Sequence, residues 1–241
     1  LPPRAPSPAT LGRAELVALV AGLMSMNALA IDVMLPALSE LGADLGVAAP
    51  NHRQWVVVAF AMGMGFGQLF FGPLSDRFGR RRVLLASLAA YALFGAACTV
   101  APGFRELVAF RALQGVASSG ARVTAVAVVR DTHAGRAMAR TMAFVMMTFM
   151  AVPILAPALG QAVLWLTGAW RAIFGLLVAF AGVMAGWSAL RLPETLPAPR
   201  RRPIDPRSLA AAYREVLGHR TTRGYILALG LMFGALMGFL G

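Results

Sequence analysis

Two arginines and one aspartate stand where charges are rare, inside long apolar runs: Asp32 in the first, Arg111 and Arg122 in the fourth. A charge at a bilayer centre costs about 2.5–3.5 kcal/mol on insertion scales, so each needs a partner, a carbonyl or water, and such charges mark ion and substrate pathways. Asp32 and Arg111 fall at similar depth with opposite sign, which predicts a pair; a hydrated Asp32 at the interface is the plainer alternative. Arg122 follows about eleven residues after Arg111, returning to nearly the same helix face roughly 16 Å deeper. Gln114, Ser118 and Ser119 lie on or beside that stripe. Asp32, Arg111, Gln114, Ser118 and Arg122 therefore form the candidate substrate cavity. For Arg122 an equal alternative stays open: a guanidinium that bonds backbone carbonyls and locks two helices together.

Positioning such residues requires membrane-spanning helices. The 241-residue chain is 59% hydrophobic and 13% charged, against about a quarter charged in soluble domains. Its apolar runs have the length needed to cross a hydrocarbon core, and the absence of period-two alternation argues against a porin-type barrel. Spans are predicted over residues 14–37, 54–73, 83–101, 106–129, 140–165 and 170–190, a six-helix bundle over 14–190 after a cytoplasmic tail at 1–13. A linker over 191–223 carries Pro193, Pro197, Pro199, Pro203 and Pro206; within it Ser208 to Gly218 reads as a short amphipathic helix on the membrane surface. Residues 224–241 read as the truncated start of a seventh helix.

Net charge is +12 and every basic residue is arginine. Topology explains this better than nucleic-acid binding. Arg53, Arg105 and Arg171 fall on one side of the spans and the remaining loop arginines on the other, so the positive-inside rule places the N-terminus in the cytoplasm and the chain in the inner membrane. Gly63, Gly65 and Gly67 suit close helix packing. Pro153 and Pro157, followed by Gly160, predict a kinked fifth span. Met142, Met146, Met147 and Met150 suit either varied apolar ligands or plain packing.

Enzyme chemistry finds no support. His52, His133 and His219 lie in loops without metal-ligand spacing, Cys98 is the single cysteine, and a chain without lysine has no phosphate-binding G-x-x-x-x-G-K-[ST] loop. No cofactor or metal is expected.

Gly72-Pro73-Leu74-Ser75-Asp76-Arg77-Phe78-Gly79-Arg80-Arg81-Arg82 resembles the signature loop between helices 2 and 3 of the major facilitator superfamily, G-x-L-x-D-R-x-G-R-R/K. Arg111-Ala112-Leu113-Gln114-Gly115 resembles its helix 4 motif R-x-x-Q-G, and Arg130-Asp131 the charged pair ending that helix. The stretch Ser25–Gly46, Phe144–Met147, Ala156-Pro157 and Pro193-Glu194-Thr195-Leu196-Pro197 narrows the resemblance to the bicyclomycin and chloramphenicol resistance (Bcr/CflA) group of drug:proton antiporters. The resemblance implies an all-α integral membrane fold, the N-terminal half of that superfamily. It implies proton coupling for Asp32 and Arg111, a conformational latch of Gly72, Asp76, Arg77, Gly79, Arg80 and Asp131, and an antiporter-like motif of Pro153, Pro157 and Gly160. Ala156 and Gln161 stand where the usual G-P-x-x-G-G pattern has glycines.

The expected function is proton-coupled efflux of drugs or other small amphipathic molecules. Its partners are substrate, protons, the lipid bilayer and a missing C-terminal six-helix half or another chain; no nucleic acid is expected. Uptake of a small anionic metabolite held by Arg111 and Arg122 is the alternative, with a truncated half that transports nothing alone as the third.

Overall fold

The computed structural model describes residues 11–201, 203 and 205–240. The chain divides into two compact units, Leu1–Arg201 and Arg202–Gly241. The first contains α1 (Arg13–Asp32), a 3₁₀ turn (Leu35–Ala37), α2 (Leu38–Asp44), α3 (Pro50–Arg53), α4 (Trp55–Phe78), α5 (Arg80–Thr99), α6 (Phe104–Thr132), α7 (Gly135–Thr167) and α8 (Arg171–Arg191). The second holds α9 (Pro206–Gly218) and α10 (Arg220–Leu240). No strand occurs among the described residues. Six helical segments there are long and apolar enough to cross a membrane, as the run lengths predict.

Three boundaries differ from the sequence reading, each for a local reason. The first span, expected to be continuous over 14–37, stops being α-helical at Asp32. Pro36 has no N–H to return to the Asp32 carbonyl, and the chain tightens through Met34 N–H to Ile31 O at 3.3 Å into the Leu35–Ala37 turn. The signature segment, expected as a loop, is almost entirely helix: α4 runs through Pro73 to Phe78, α5 starts at Arg80, and Gly79 alone joins them. Gly79 has φ +97°, a backbone conformation that a Cβ disfavours. The span predicted to end at 73 therefore runs to Phe78, and the tight junction lies at Gly79. The seventh apolar helix begins at Arg220 rather than near 224.

In the first unit α4 packs mainly on α6, α6 also on α5, α5 on α8, and α1 on α7. The α4–α6 contact is made backbone to backbone. A Cβ on Gly63 would overlap the Ala112 carbonyl of α6, and one on Gly115 would overlap the Phe60 carbonyl of α4. This reciprocal fit is the use the glycine spacing predicts. Apolar side chains also cover the outside: Met62 of α4 is 65% exposed and Ile154 of α7 78%, as suits a surface solvated by lipid or by other protein. α7 remains one helix through Pro153 and Pro157.

Gly115→Val should destabilise the protein by about 1–3 kcal/mol through overpacking. Gly65→Ala, where an added Cβ meets nothing within 4 Å, should be neutral or stabilising. Thermal unfolding in detergent checks the contrast; equal melting shifts for both would refute it.

Candidate functional site: a buried arginine, a broken helix and a charged latch

α6 carries Arg111 into the middle of the bundle, where it is 0% exposed. Its Nε donates to Val56 O of α4 at 3.1 Å, Nη2 to Ala30 O of α1 at 2.9 Å, and Nη1 to Gln114 Oε1 at 2.9 Å. The rings of Phe60 and Phe174 lie 4.5 and 5.7 Å from the guanidinium carbon. A lone buried cation is costly unless dipoles surround it; here two carbonyls, one amide oxygen and two aromatic faces do so. The Ala30 carbonyl is available because α1 ends two residues later. In a continuous helix it would accept from Met34 N–H, which turns instead to Ile31 O.

The expected Asp32–Arg111 ion pair is not formed. Neither residue appears in any ion pair among the described residues. Arg111 bonds two backbone carbonyls, the arrangement weighed in the sequence for Arg122, while Asp32 is half-buried at the last position of α1. Arg111 thus meets Asp32 through the backbone, holding a carbonyl two residues away.

The remaining cavity candidates separate. Gln114 is fully buried, with Nε2 filling the space beside Gly95 of α5, so it supports Arg111 and does not face an open site. Ser118, also fully buried, donates to Gly115 O of its own helix at 2.7 Å; Ser119 does the same to Val116 O at 2.7 Å. Arg122 is half-buried. The fourth-span stripe is therefore core at its Arg111 end and partly open at Arg122. Gly160 of α7 sits on the α1 break, where an added Cβ would overlap Val33 O. Pro157 is half-buried and Pro153 exposed.

At the other end of the bundle the latch residues converge on Arg80, whose side chain is 10% exposed. It donates to Asp76 Oδ1 at 2.6 Å, Asp131 Oδ2 at 3.0 Å and Ser75 Oγ at 2.5 Å. Such charge-assisted bonds join the end of α4, the start of α5 and the end of α6. Arg77 stays outside the network; it is exposed, with its guanidinium over Phe78 at 5.2 Å. Sequence reasoning missed Ser75, Thr195 and Glu194 as members. The Pro193–Pro197 segment stood out in the sequence only as a resemblance, with nothing local to show which helix end it meets. Nearby, Arg191 Nε and Nη2 clasp the Glu15 carboxylate at 2.7 and 2.8 Å, tying α8 to α1.

An all-helical bundle with six segments long and apolar enough to cross a membrane, a carboxylate at the break in α1 and an Asp–Arg–Asp cluster defines a multi-pass membrane protein. The model of the Major Facilitator Superfamily matches residues 18–241, and the chain belongs to that superfamily. Similar curated proteins include the uncharacterized MFS-type transporter YdgK of Bacillus subtilis, 34% identical over 223 residues covering 92% of this chain and 55% of the relative. The bicyclomycin resistance protein homolog of Haemophilus influenzae is 29% identical, with 92% and 55% covered. Multidrug resistance protein D of Escherichia coli is 31% identical, with 90% and 52% covered. These relatives agree with the Bcr/CflA-type resemblance. The chain spans about half the length of the curated relatives it matches. A crystal structure of the human organic anion transporter MFSD10 shares the fold at a TM-score of 0.62, with 22% identity, over 83% of this chain and 53% of that one.

Arg111→Met should strand the Gln114 oxygen and the Ala30 carbonyl in the core, at about 1–3 kcal/mol per unsatisfied group. Arg111→Lys should rescue little, because one ammonium cannot reach acceptors on three helices in the fork geometry of a guanidinium. Detergent thermal melts of the two variants test this, and wild-type stability in Arg111→Lys would overturn it.

Proposed function

We propose that this chain is the N-terminal six-helix half of a proton-coupled exporter of small amphipathic drugs or metabolites, lying in the cytoplasmic membrane with its N-terminus inside. The observation that carries the reading is Asp32, a half-buried carboxylate at the break in α1 that takes part in none of the ion pairs among the described residues. The relatives named as resistance proteins support the substrate class.

A carboxylate in a poorly solvated position changes its local energetics sharply when a proton cancels its charge. In the proposed cycle Asp32 takes a proton from the external side and releases it inward, while substrate moves outward as the two halves rock. Arg111 is the fixed cation that keeps the broken turn in place, so the charge state of Asp32 is felt by the Val33–Pro36 turn and by Gly160 packed on it. The latch of Asp76, Arg80 and Asp131 holds one end state. Neither ATP nor a cofactor enters this scheme.

Arg122 favours a second reading, uptake of a small organic anion. It is half-buried, and a guanidinium suits a carboxylate. Arg111 no longer supports that reading, since it is fully buried and three of its N–H groups already meet protein acceptors. Accumulation of labelled drug and labelled carboxylate in cells with and without the intact transporter separates the two.

In everted vesicles holding the intact transporter, drug movement should follow an imposed pH gradient and fall at least about a hundredfold in Asp32→Asn, the lower bound expected for a lost proton-transfer group. Gradient-driven transport at wild-type rate in that variant would sink the proton-coupling role.

A further inference from the structure

After α8 the chain turns through Leu192 and Pro193 and lays Glu194 against the start of α5. Glu194 Oε1 accepts from the Arg80 backbone N–H at 2.8 Å and from Leu196 N–H at 3.1 Å. α5 receives no side-chain cap from its own N-cap residue, since that residue is Gly79, so the carboxylate comes from a segment more than a hundred positions away. A negative charge there also meets the positive end of the helix dipole. Its other oxygen is 3.9 Å from Arg201 Nη2.

The junction is shaped for this carboxylate. A Cβ at position 79 would overlap Glu194 Oε2, so Gly79 is fitted both to its positive φ and to the acid beside it. One residue on, Thr195 Oγ1 donates to Asp131 Oδ2 at 3.1 Å, the same oxygen that receives Arg80 Nε at 3.0 Å. Glu194 therefore holds the backbone of Arg80 while Thr195 orients the carboxylate its side chain must meet. The next arginine, Arg81, donates to Ala189 O near the end of α8. Beside the segment lies a cavity of about 410 Å³, with Leu11 and Leu16 at the start of α1 and Val128 and His133 at the end of α6 among its walls.

We propose that Glu194 and Thr195 are positioning residues of the latch: the opening of the linker forms a strap that sets whether Arg80 can engage Asp131, so that tension in the linker opens or closes the latch. The strap touches no substrate. This inference rests on the transporter reading for its functional consequence, but not for its structural one.

The test uses the intact transporter with Glu194→Ala, Glu194→Gln and Thr195→Val. By hydrogen exchange, Glu194→Ala should expose the amides of Arg80 and Leu196 about tenfold faster, the worth of a charged hydrogen bond. Glu194→Gln, whose amide oxygen still accepts, should recover most of that protection. Segments 72–82 and 128–133 should loosen together in Glu194→Ala and Thr195→Val. In transport, kcat should change at least about threefold with KM unchanged, since no substrate-binding contact is lost. Unchanged exchange at Arg80 would overturn the strap. Faster exchange with unaltered kcat would reduce Glu194 to a structural cap and overturn its positioning role. A wild-type protein without gradient-driven transport would instead count against the proposed function, and the joint loosening of the two segments would still decide the strap.

Discussion

A guanidinium with no anion, buried where three helices meet, is the constraint around which the rest of the bundle is arranged. Arg111 needs acceptors in a medium that supplies no water. The helices meet that need by offering carbonyls: one at the start of α4 and one released by the early end of α1. Pro36 and Arg111 therefore work together, the first interrupting the hydrogen-bond ladder and the second taking up an acceptor left by it. Gln114, Phe60 and Phe174 complete the enclosure. The position of Asp32 follows from this arrangement, since it is the last helical residue before the interruption.

The other end of the bundle solves a different problem with similar means. Arg80 and Arg191 each satisfy carboxylates from other helices, and Arg81 a carbonyl. The guanidinium suits these roles because one side chain donates several bonds in fixed directions. A chain whose basic residues are all arginine thus uses the same group for orientation across the bilayer and for cross-linking helix ends. Glu194 stands apart as an acid recruited by a backbone N–H, and its place is dictated by a glycine that cannot supply its own cap.

Much of this was legible in the sequence because lipid imposes strong patterns. Run length marked the six spanning segments, arginine bias suggested their direction, and the Gly72–Arg82 signature identified the family. Tertiary partners were harder to read. Asp32 and Arg111 share depth and carry opposite charge, which argued for a pair, but helical periodicity does not show that a proline has freed a carbonyl closer to the guanidinium. Gln114 and Ser118 lay on the predicted polar stripe, yet their hydrogen bonds are made within α6, so polarity along a helix did not mean exposure. Glu194 was hidden for another reason. Its partner is separated by four helices in sequence, and a carboxylate after a span resembles any surface charge until the chain is folded.

The glycine contact between α4 and α6 has a mechanical meaning. Where Gly63 and Gly115 set backbone against backbone, no side chain lies between the two helices to change rotamer, and these points resist shear. α1 and α7 are built differently, one interrupted near Asp32 and the other carrying two prolines within its length. The contact of Gly160 with Val33 O joins the two one residue past Asp32, so the interruption of α1 is also where α7 packs closely on it.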